Sequence, residues 1–505
     1  MPSPNILIVM ADQLAPAFLP AYGHKIVKTP HIDALARSGV VFESAYCASP
    51  LCAPSRASLM AGLLPSRTGV YDNAAEFAAS IPTFAHHLRR LGYHTVLSGK
   101  MHFCGPDQLH GFETRLTTDI YPADFGWTPD WDHPQERPSW YHNMSSVTQA
   151  GLCVRTNQLD YDDEVTFAAE REIYDKARGG DPRPLLLVAS LSHPHDPYAI
   201  TRPYWDLYRD DEIDMPGPAI PLAQLDPHSL RLRHVCAMDA QVLSESQVRA
   251  ARHAYYGEIS YCDDNLGRLL RALDACRLRD DTIVIFLGDH GEMLGDRGLW
   301  YKMSFFENSA RVPLIVGAPG RFAPRRVSAN VSLLDVAPTL VDLAGGDSFA
   351  LGRSVDGRSL VPHLRGGVGH DEAIGEYLAE GALAPIVMIR RSDWKFIHSP
   401  ADPDQLYDLR ADPDERFNLA SRAEERERVE SFRAEVARRW RLDALAAEVR
   451  ASQRRRRLVD AALRTGDPRA WDFQPHRDAS KQYVRNTADL DDLEARARFP
   501  KVTGG

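Results

Sequence analysis

The chain has 505 residues, 44% of them hydrophobic and 25% charged, with a formal net charge of −10. That length supports a major domain plus a smaller one around an extensive core, and the composition is that of an ordinary soluble protein. The acidic balance excludes a chain built as a whole for nucleic acid or an anionic membrane, while leaving room for a local cationic pocket.

The opening Met1-Pro2-Ser3-Pro4-Asn5 runs into Ile6–Met10, an apolar stretch too short and too weakly flanked for a signal peptide. Nothing approaches the length of a membrane span. Seven scattered cysteines (Cys47, Cys52, Cys104, Cys153, Cys236, Cys262 and Cys276) form no CxxC pair and give an odd total, which fits a reducing compartment. A cytoplasmic enzyme is the expectation.

Ile6–Met10 reads as a buried strand ending at Asp12-Gln13, and Pro30–Ser38 as a helix. The segment Leu51–Gly62 then places a cysteine two residues before Pro54 and four before Arg56. Pro54 and Ser55 suit a first helical turn, so Cys52 is expected at a helix N-terminus, where free N–H groups favour an anion. Arg56, one turn on, is expected on the same face with a planar fork for sulfate or phosphate. A helix over Ile81–Leu91, stopped by Gly92, precedes a strand at Thr95–Leu97 that ends in Ser98-Gly99-Lys100-Met101-His102.

From Gly105 to Asn157 the sequence is aperiodic and rich in Trp, Tyr, Pro and Asp, which marks a functional segment. A strand at Leu185–Leu191 ends in Ser192-His193-Pro194-His195-Asp196, a helical pattern covers Val248–Leu273, and a strand at Thr282–Leu287 ends in Gly288-Asp289-His290-Gly291. Pro313–Val316 is a further strand. Strands alternating with helices predict an α/β sheet covered on both faces, with ligands beyond the carboxyl strand ends. Asp12, Lys100, His102, His193, His195, Asp289 and His290 all fall there.

Beyond Gly369 the pattern becomes a small antiparallel subdomain (strands within Ile386–Ile397 and at Gln405–Leu409), followed by one or two charged helices over Ala423–Leu463. The run Arg454–Arg457 reads as a solvated helix face, and the residues from Gly466 as an arm that docks or stays disordered. The expected divisions are 1–370 for the catalytic domain, 371–445 for the subdomain and 446–505 for a helix and oligomerisation arm.

Asp12 and Asp289 offer carboxylates, Gln13 a carbonyl oxygen and His290 an imidazole. This set suits a hard divalent ion, with Ca²⁺, Mg²⁺ and Mn²⁺ open and the imidazole tilting toward Mn²⁺. Arg56, Lys100 and Lys302 are candidates to neutralise an anionic group, and His102 and His195 to move protons, with His193 the bystander.

Cys52-Ala53-Pro54-Ser55-Arg56 resembles the C-x-P-S-R signature of type I sulfatases in the alkaline-phosphatase superfamily. Asn5-Ile6-Leu7 through Asp12, Gly99-Lys100, His195-Asp196-Pro197, Gly288–Glu292 and Leu406–Leu409 with Asp412–Glu415 resemble the same family. The resemblance implies an alkaline-phosphatase-like mixed sheet flanked by helices, with a small C-terminal antiparallel sheet and an arm. It implies that a maturation enzyme converts Cys52 to formylglycine, with one divalent ion per subunit on Asp12, Gln13, Cys52, Asp289 and His290. In that family the hydrated aldehyde attacks sulfur, expels the alcohol and then collapses to release sulfate. Gln13 and His290 depart from the common pattern, as they do in the phosphonate monoester hydrolase and choline sulfatase branches, so the ion stays open between Ca²⁺ and its alternatives.

Val70–Glu76, Lys100–Gly111, Thr117–Pro129, Trp471–Pro475 and Asp478–Asn486 resemble the choline sulfatase branch. That resemblance implies choline-O-sulfate as substrate and a homo-oligomer, a tetramer, packed through its C-terminal arms. A trimethylammonium head donates no hydrogen bond, so its site needs aromatic faces and a carboxylate. The aperiodic segment supplies Tyr121, Trp127, Trp131, Trp140 and Tyr141. Trp127 is expected as a wall, Asn73 and Asn143 as polar neighbours, and Glu376 as the counter-charge. A phosphonate or phosphate ester hydrolase on the same metal site, and a catalytically dead quaternary-ammonium-binding protein, are the competing readings.

Overall fold

The computed structural model describes residues 3–179, 181–217, 220–347 and 355–466, together with Asp489 and Asp491. Ten strands make up its larger part: β1 (Asn5–Ala11), β2 (Val40–Tyr46), β3 (His94–Gly99), β4 (Thr114–Arg115), β5 (Gly151–Cys153), β6 (Leu185–Ser190), β7 (Ala199–Thr201), β8 (Thr282–Gly288), β9 (Arg311–Gly317) and β10 (Arg325–Ser332). Eight of them form one sheet in the order β10-β2-β9-β8-β1-β6-β3-β4, while β5 and β7 pair separately. The four central strands β8, β1, β6 and β3 are parallel. β9 runs antiparallel to both its neighbours, which makes the sheet mixed.

The central strands are buried along nearly their whole length and are mostly apolar, because helices cover both faces. Helix α1 (Pro30–Ser38) lies against β9, and α3 (Asn157–Ala177) against β3 and β6. Helix α4 (Glu245–Ala275) starts at a capping box made by Ser244 and Gln247 and is buried through its middle. Helix α2 (Cys52–Ala61) is buried at every residue and begins at Cys52, as Pro54 and Ser55 imply. Its N-cap, Leu51, has no side-chain acceptor, so the first-turn N–H groups are left for other partners.

Register decides where the chemistry lies. Ala11 pairs with Gly288, Met10 with Ser190, and Gly99 with Ser190, so the central strands end level. Asp12, Asp289 and Lys100 each follow their strand by one residue and meet at one edge. Gly99 makes this possible: its φ is +107°, and a Cβ there would stand 2.0 Å from the Ser190 carbonyl oxygen.

The expected second sheet is present as β11 (Glu372–Tyr377), β12 (Ile386–Arg391), β13 (Trp394–Ser399) and β14 (Asp402–Asp408), antiparallel throughout. Helix α5 (Arg426–Arg439) packs on it through Val429, Phe432 and Val436 against Val387, Ile389 and Phe396. Helix α6 (Leu442–Leu463) then crosses back to the main domain. Here the expected solvated arginine face holds for Arg454, Arg455 and Arg457, which are exposed, and is corrected at Arg456. Arg456 is buried on an ion pair with Asp72, while Arg454 and Arg457 reach Asp132 and Asp130. The arm motifs at 471–475 and 478–486 lie outside the described residues, as does most of the 446–505 division. No helix among the described residues is long and apolar enough to cross a membrane.

Candidate active site

Asp12, Cys52, Asp289 and His290 bring their ligand atoms within 4.8 Å of one another in a fully buried cluster. Cys52 Sγ lies 3.1 Å from His290 Nε2 and 3.8 Å from Asp12 Oδ1. Asp289 Oδ1 accepts the backbone N–H groups of Gln13 and His290, at 3.0 and 2.8 Å. His290 Nδ1 stands 3.0 Å from its neighbour's carbonyl oxygen, which leaves Nε2 facing the cluster. Two buried carboxylates, an imidazole with one nitrogen presented and an atom at position 52 fit a divalent ion.

The cations around this cluster do different jobs. Arg56 Nε donates to Asp289 Oδ2 at 2.7 Å, Nη1 to Ser190 Oγ at 2.8 Å, and Nη2 stands 3.5 Å from Asp12 Oδ2. It therefore orients the two carboxylates from beneath, in place of the expected fork toward an incoming sulfate. Lys100 pairs with Asp12 and sits 4.1 Å above the Tyr121 ring. Lys302 Nζ donates to Gln13 Oε1 and lies 2.7 Å from His195 Nε2. Two cations thus match two carboxylates, and Lys302 is the one presented to the cavity. Gln13 Nε2 donates to Glu292 at 2.5 Å, so both ends of that amide have partners outside the four-residue cluster.

Electrostatics follow the geometry. Burial raises the Cys52 thiol, but Lys100, Lys302 and His290 outweigh it and hold the group well below the ordinary thiol range. Asp12 drops to about 2: burial and Cys52 oppose ionisation, and cations led by Lys100 and including Arg56 overcome them. Lys302 stays above its usual range despite burial because Cys52, Asp196 and Asp12 face it.

Above the cluster opens a cavity of about 170 Å³, lined by Cys52, Asn73, His102, Tyr121, Trp127, Trp140, Tyr141, His142, His195, Asp196, Lys302 and Glu380. Trp127 and Trp140 stack at 6.3 Å and 14°, and His102 meets Trp127 edge-on at 5.9 Å. Asn73 Oδ1 accepts the Ala53 N–H at 3.0 Å, next to the cysteine. Neither His102 ring nitrogen makes a hydrogen bond among the described residues, and Gln13, His102, Tyr301 and Met303 all sit at positive φ. Left-handed backbone at four non-glycine positions around one cavity marks a site whose geometry is imposed by its surroundings.

Two expected pocket residues lie elsewhere. Glu376, inside β11, is buried against Ser66 and Trp440, each donating at 2.7 Å, and does not line the cavity. Two carboxylates do line it: Asp196, paired with His195, and Glu380, in the turn after β11. Asn143 is exposed, its side chain accepting from Ser145 N at 2.8 Å. His193 is the expected bystander, buried with Nδ1 2.6 Å from Asp162. His142 carries no motif that singles it out, while Asp196 and Glu292 lie inside the His195–Pro197 and Gly288–Glu292 stretches but are given no role there. Asp196 could have been found from its place next to His195 at the end of β6.

A family model described as Sulfatase matches residues 4–346, and the chain belongs to the sulfatase family of the alkaline-phosphatase superfamily. Models for the C-terminal part of N-sulphoglucosamine sulphohydrolase and for the choline sulfatase C terminus match residues 295–441 and 447–499. Over 99% of both chains it is 50% identical to the choline-sulfatase of Rhizobium meliloti. It is 29% identical to an arylsulfatase of Clostridium perfringens, over 71% of this chain and 77% of that one. The crystal structure of a phosphonate monoester hydrolase from Agrobacterium radiobacter superposes with a TM-score of 0.68 at 27% identity. That match covers 88% of this chain and 96% of the other, and the alkaline-phosphatase-like fold is shared. Membership carries formylglycine-type activation and a divalent metal.

Proposed function

We propose that this chain is a choline sulfatase, hydrolysing choline-O-sulfate to choline and sulfate. The observation that carries the reading is one cavity with two chemically opposite ends. Cys52 and Lys302 stand at its floor, while Trp127, Trp140, Tyr141 and Glu380 stand around its walls. A sulfuryl group suits the floor, and aromatic faces with a carboxylate suit a quaternary ammonium that cannot hydrogen-bond. Full-length identity to a choline-sulfatase supports the same substrate.

Asp12, Asp289, His290 and position 52 would hold the ion, while the expected ligand Gln13, its amide oxygen accepting from Lys302 and its nitrogen donating to Glu292, is left out of the set. When bound, the ion supplies positive charge to the sulfuryl oxygens, and Ca²⁺ is the proposed species, with Mn²⁺ or Mg²⁺ the alternatives. The hydrated aldehyde made from Cys52 supplies the nucleophile. Arg56 and Lys100 hold the carboxylates, the N-terminus of α2 favours negative charge at residue 52, and Lys302 neutralises the sulfuryl group. His102 and His195 flank the path of the departing alcohol. Seven free cysteines support a cytoplasmic setting. The sequence beyond Gly466 supports a homotetramer, and the signature supports a formylglycine-generating maturation enzyme as partner.

The test is sulfate release from choline sulfate by the purified, metal-loaded protein, run beside a phosphonate monoester. Preferential turnover of the phosphonate would transfer the assignment to the hydrolase reading that the Agrobacterium structure favours. Peptide mass at residue 52 checks for loss of sulfur and two hydrogens with gain of one oxygen. An unmodified cysteine without turnover would mark a dead binding protein.

A further inference from the structure

Three pocket-lining residues that are far apart in sequence are tied to one helix that touches none of the reacting atoms. Arg456, on α6, donates from Nη1 and Nη2 to the two oxygens of Asp72, both at 2.7 Å, and from Nη1 to Thr128 Oγ1 at 3.0 Å. Its side chain is 7% exposed and that of Asp72 is 0% exposed. Asp72 precedes Asn73, whose amide oxygen caps Ala53 N–H beside the nucleophile position, and Thr128 follows Trp127. One turn earlier on α6, Gln453 Oε1 accepts Trp131 N–H at 3.0 Å. Trp131 Nε1 in turn donates at 2.9 Å to the carbonyl of Ala379, the residue before Glu380.

Outside this buried pair of contacts, Arg450 lies over the Trp131 ring at 5.5 Å and donates to Leu383 O at 2.8 Å. Arg454 and Arg457 pair with Asp132 and Asp130. The segment carrying Trp127 has little regular structure of its own. A bidentate guanidinium–carboxylate pair in a buried setting is directional, and losing one partner strands the other charge.

We propose that Arg456 is a positioning residue for substrate selection, and that α6 clamps Asn73, Trp127 and Glu380 into one cation-accepting wall. Arg456 does no chemistry on sulfur. It fixes the distance between the wall and the floor of the cavity, and hence which alcohol the site accepts. The inference rests on the reading of those walls as the choline subsite.

The experiment measures kcat/KM for choline sulfate and for 4-nitrophenyl sulfate with the matured, metal-loaded enzyme and its variants. Arg456→Gln is combined with Asp72→Asn so that no buried charge is left alone, and a thermal melt confirms folding. The ratio of the two kcat/KM values is expected to fall about tenfold, through KM for choline sulfate and with little change in its kcat. Arg456→Lys, which keeps the charge but loses the fork, is expected to give an intermediate ratio. It is the variant read if the double substitution does not fold.

Trp127→Ala, run in parallel, separates the two readings. If it lowers the ratio while folded Arg456 variants stay within about twofold of the parent, the clamp is refuted and the subsite stands. If neither Trp127→Ala nor the Arg456 variants move the ratio, the choline subsite itself is wrong and the clamp falls with it.

Discussion

Lys302 Nζ lies 2.7 Å from His195 Nε2, and His195 Nδ1 lies 2.8 Å from the Asp196 carbonyl oxygen. A carbonyl only accepts, so Nδ1 carries the imidazole proton and Nε2 accepts from the ammonium. In the unconverted chain Cys52, then Asp196 and Asp12, hold Lys302 protonated in its buried site, and the two carboxylates still face it once Cys52 is converted. In this arrangement Lys302 is the group able to give a proton to a departing alkoxide, and His195 aims it. Lys302→Met should therefore slow choline sulfate by about 10²-fold or more, and an aryl sulfate with a good leaving group far less. His195→Ala should show the same bias, more weakly. A series of esters of graded leaving-group acidity checks this, and equal losses across the series would remove Lys302 from the proton-donor role.

Cys52→Ala should lower turnover by about a thousandfold or more while leaving the melting temperature near that of the parent. The side chain is small and sits at the first residue of a helix that is buried along its whole length, so its removal opens little space. Near-normal sulfate release from this variant would reject formylglycine chemistry.

Glu380 gives the site a pH signature. Burial is the main cause that raises its carboxyl, to about 7, with Asp72 adding to it and Lys302 opposing. A bound ammonium requires the charged form, so affinity for choline sulfate should strengthen as pH rises from 6 to 8. Glu380→Gln should raise KM and flatten that dependence. A KM profile that keeps its slope in the variant would assign the titration to another group.

Acid sensitivity of the fold should trace in part to His110, which lies between Phe77 and Phe103 with ring distances of 4.3 and 4.5 Å. Burial lowers its pKa to about 4, against 6.5 when unperturbed. The unfolded chain then binds a proton that the folded one refuses. Stability is full above pH 6.5 and falls as pH drops toward 4, by at most about 3 kcal/mol from this residue. His110→Asn tolerates the positive φ; it should be less stable at pH 7.5 through lost packing, yet lose less on acidification. Denaturant melts at several pH values measure both effects.

Much of the sheet was legible because β1, β3, β6 and β8 are short apolar runs buried on both faces, each followed by the polar residues that do chemistry. β2 was missed because Glu43 and Ser44 interrupt its apolar run, and β10 because as an edge strand it begins Arg325-Arg326 and buries only its last residues. The motif residues converge as expected. The misplacements have local causes: Glu376 lies inside a strand with three donors of its own, and no motif distinguishes Glu380 four residues on. Arg456 hid in a run of four arginines. The helical period held the clue, since Leu445, Val449, Gln453 and Arg456 continue one inward stripe.

The level ends of β8, β1, β6 and β3 also fix how this chain tolerates length changes. Each chemical group stands a residue or a few beyond its strand, and side chains alternate faces along a strand. A single-residue insertion between Ile6 and Ala11, or between Ile283 and Gly288, would turn the following carboxylate to the wrong side of the sheet. Loops elsewhere can drift in length, whereas these short stretches are locked to their residue count.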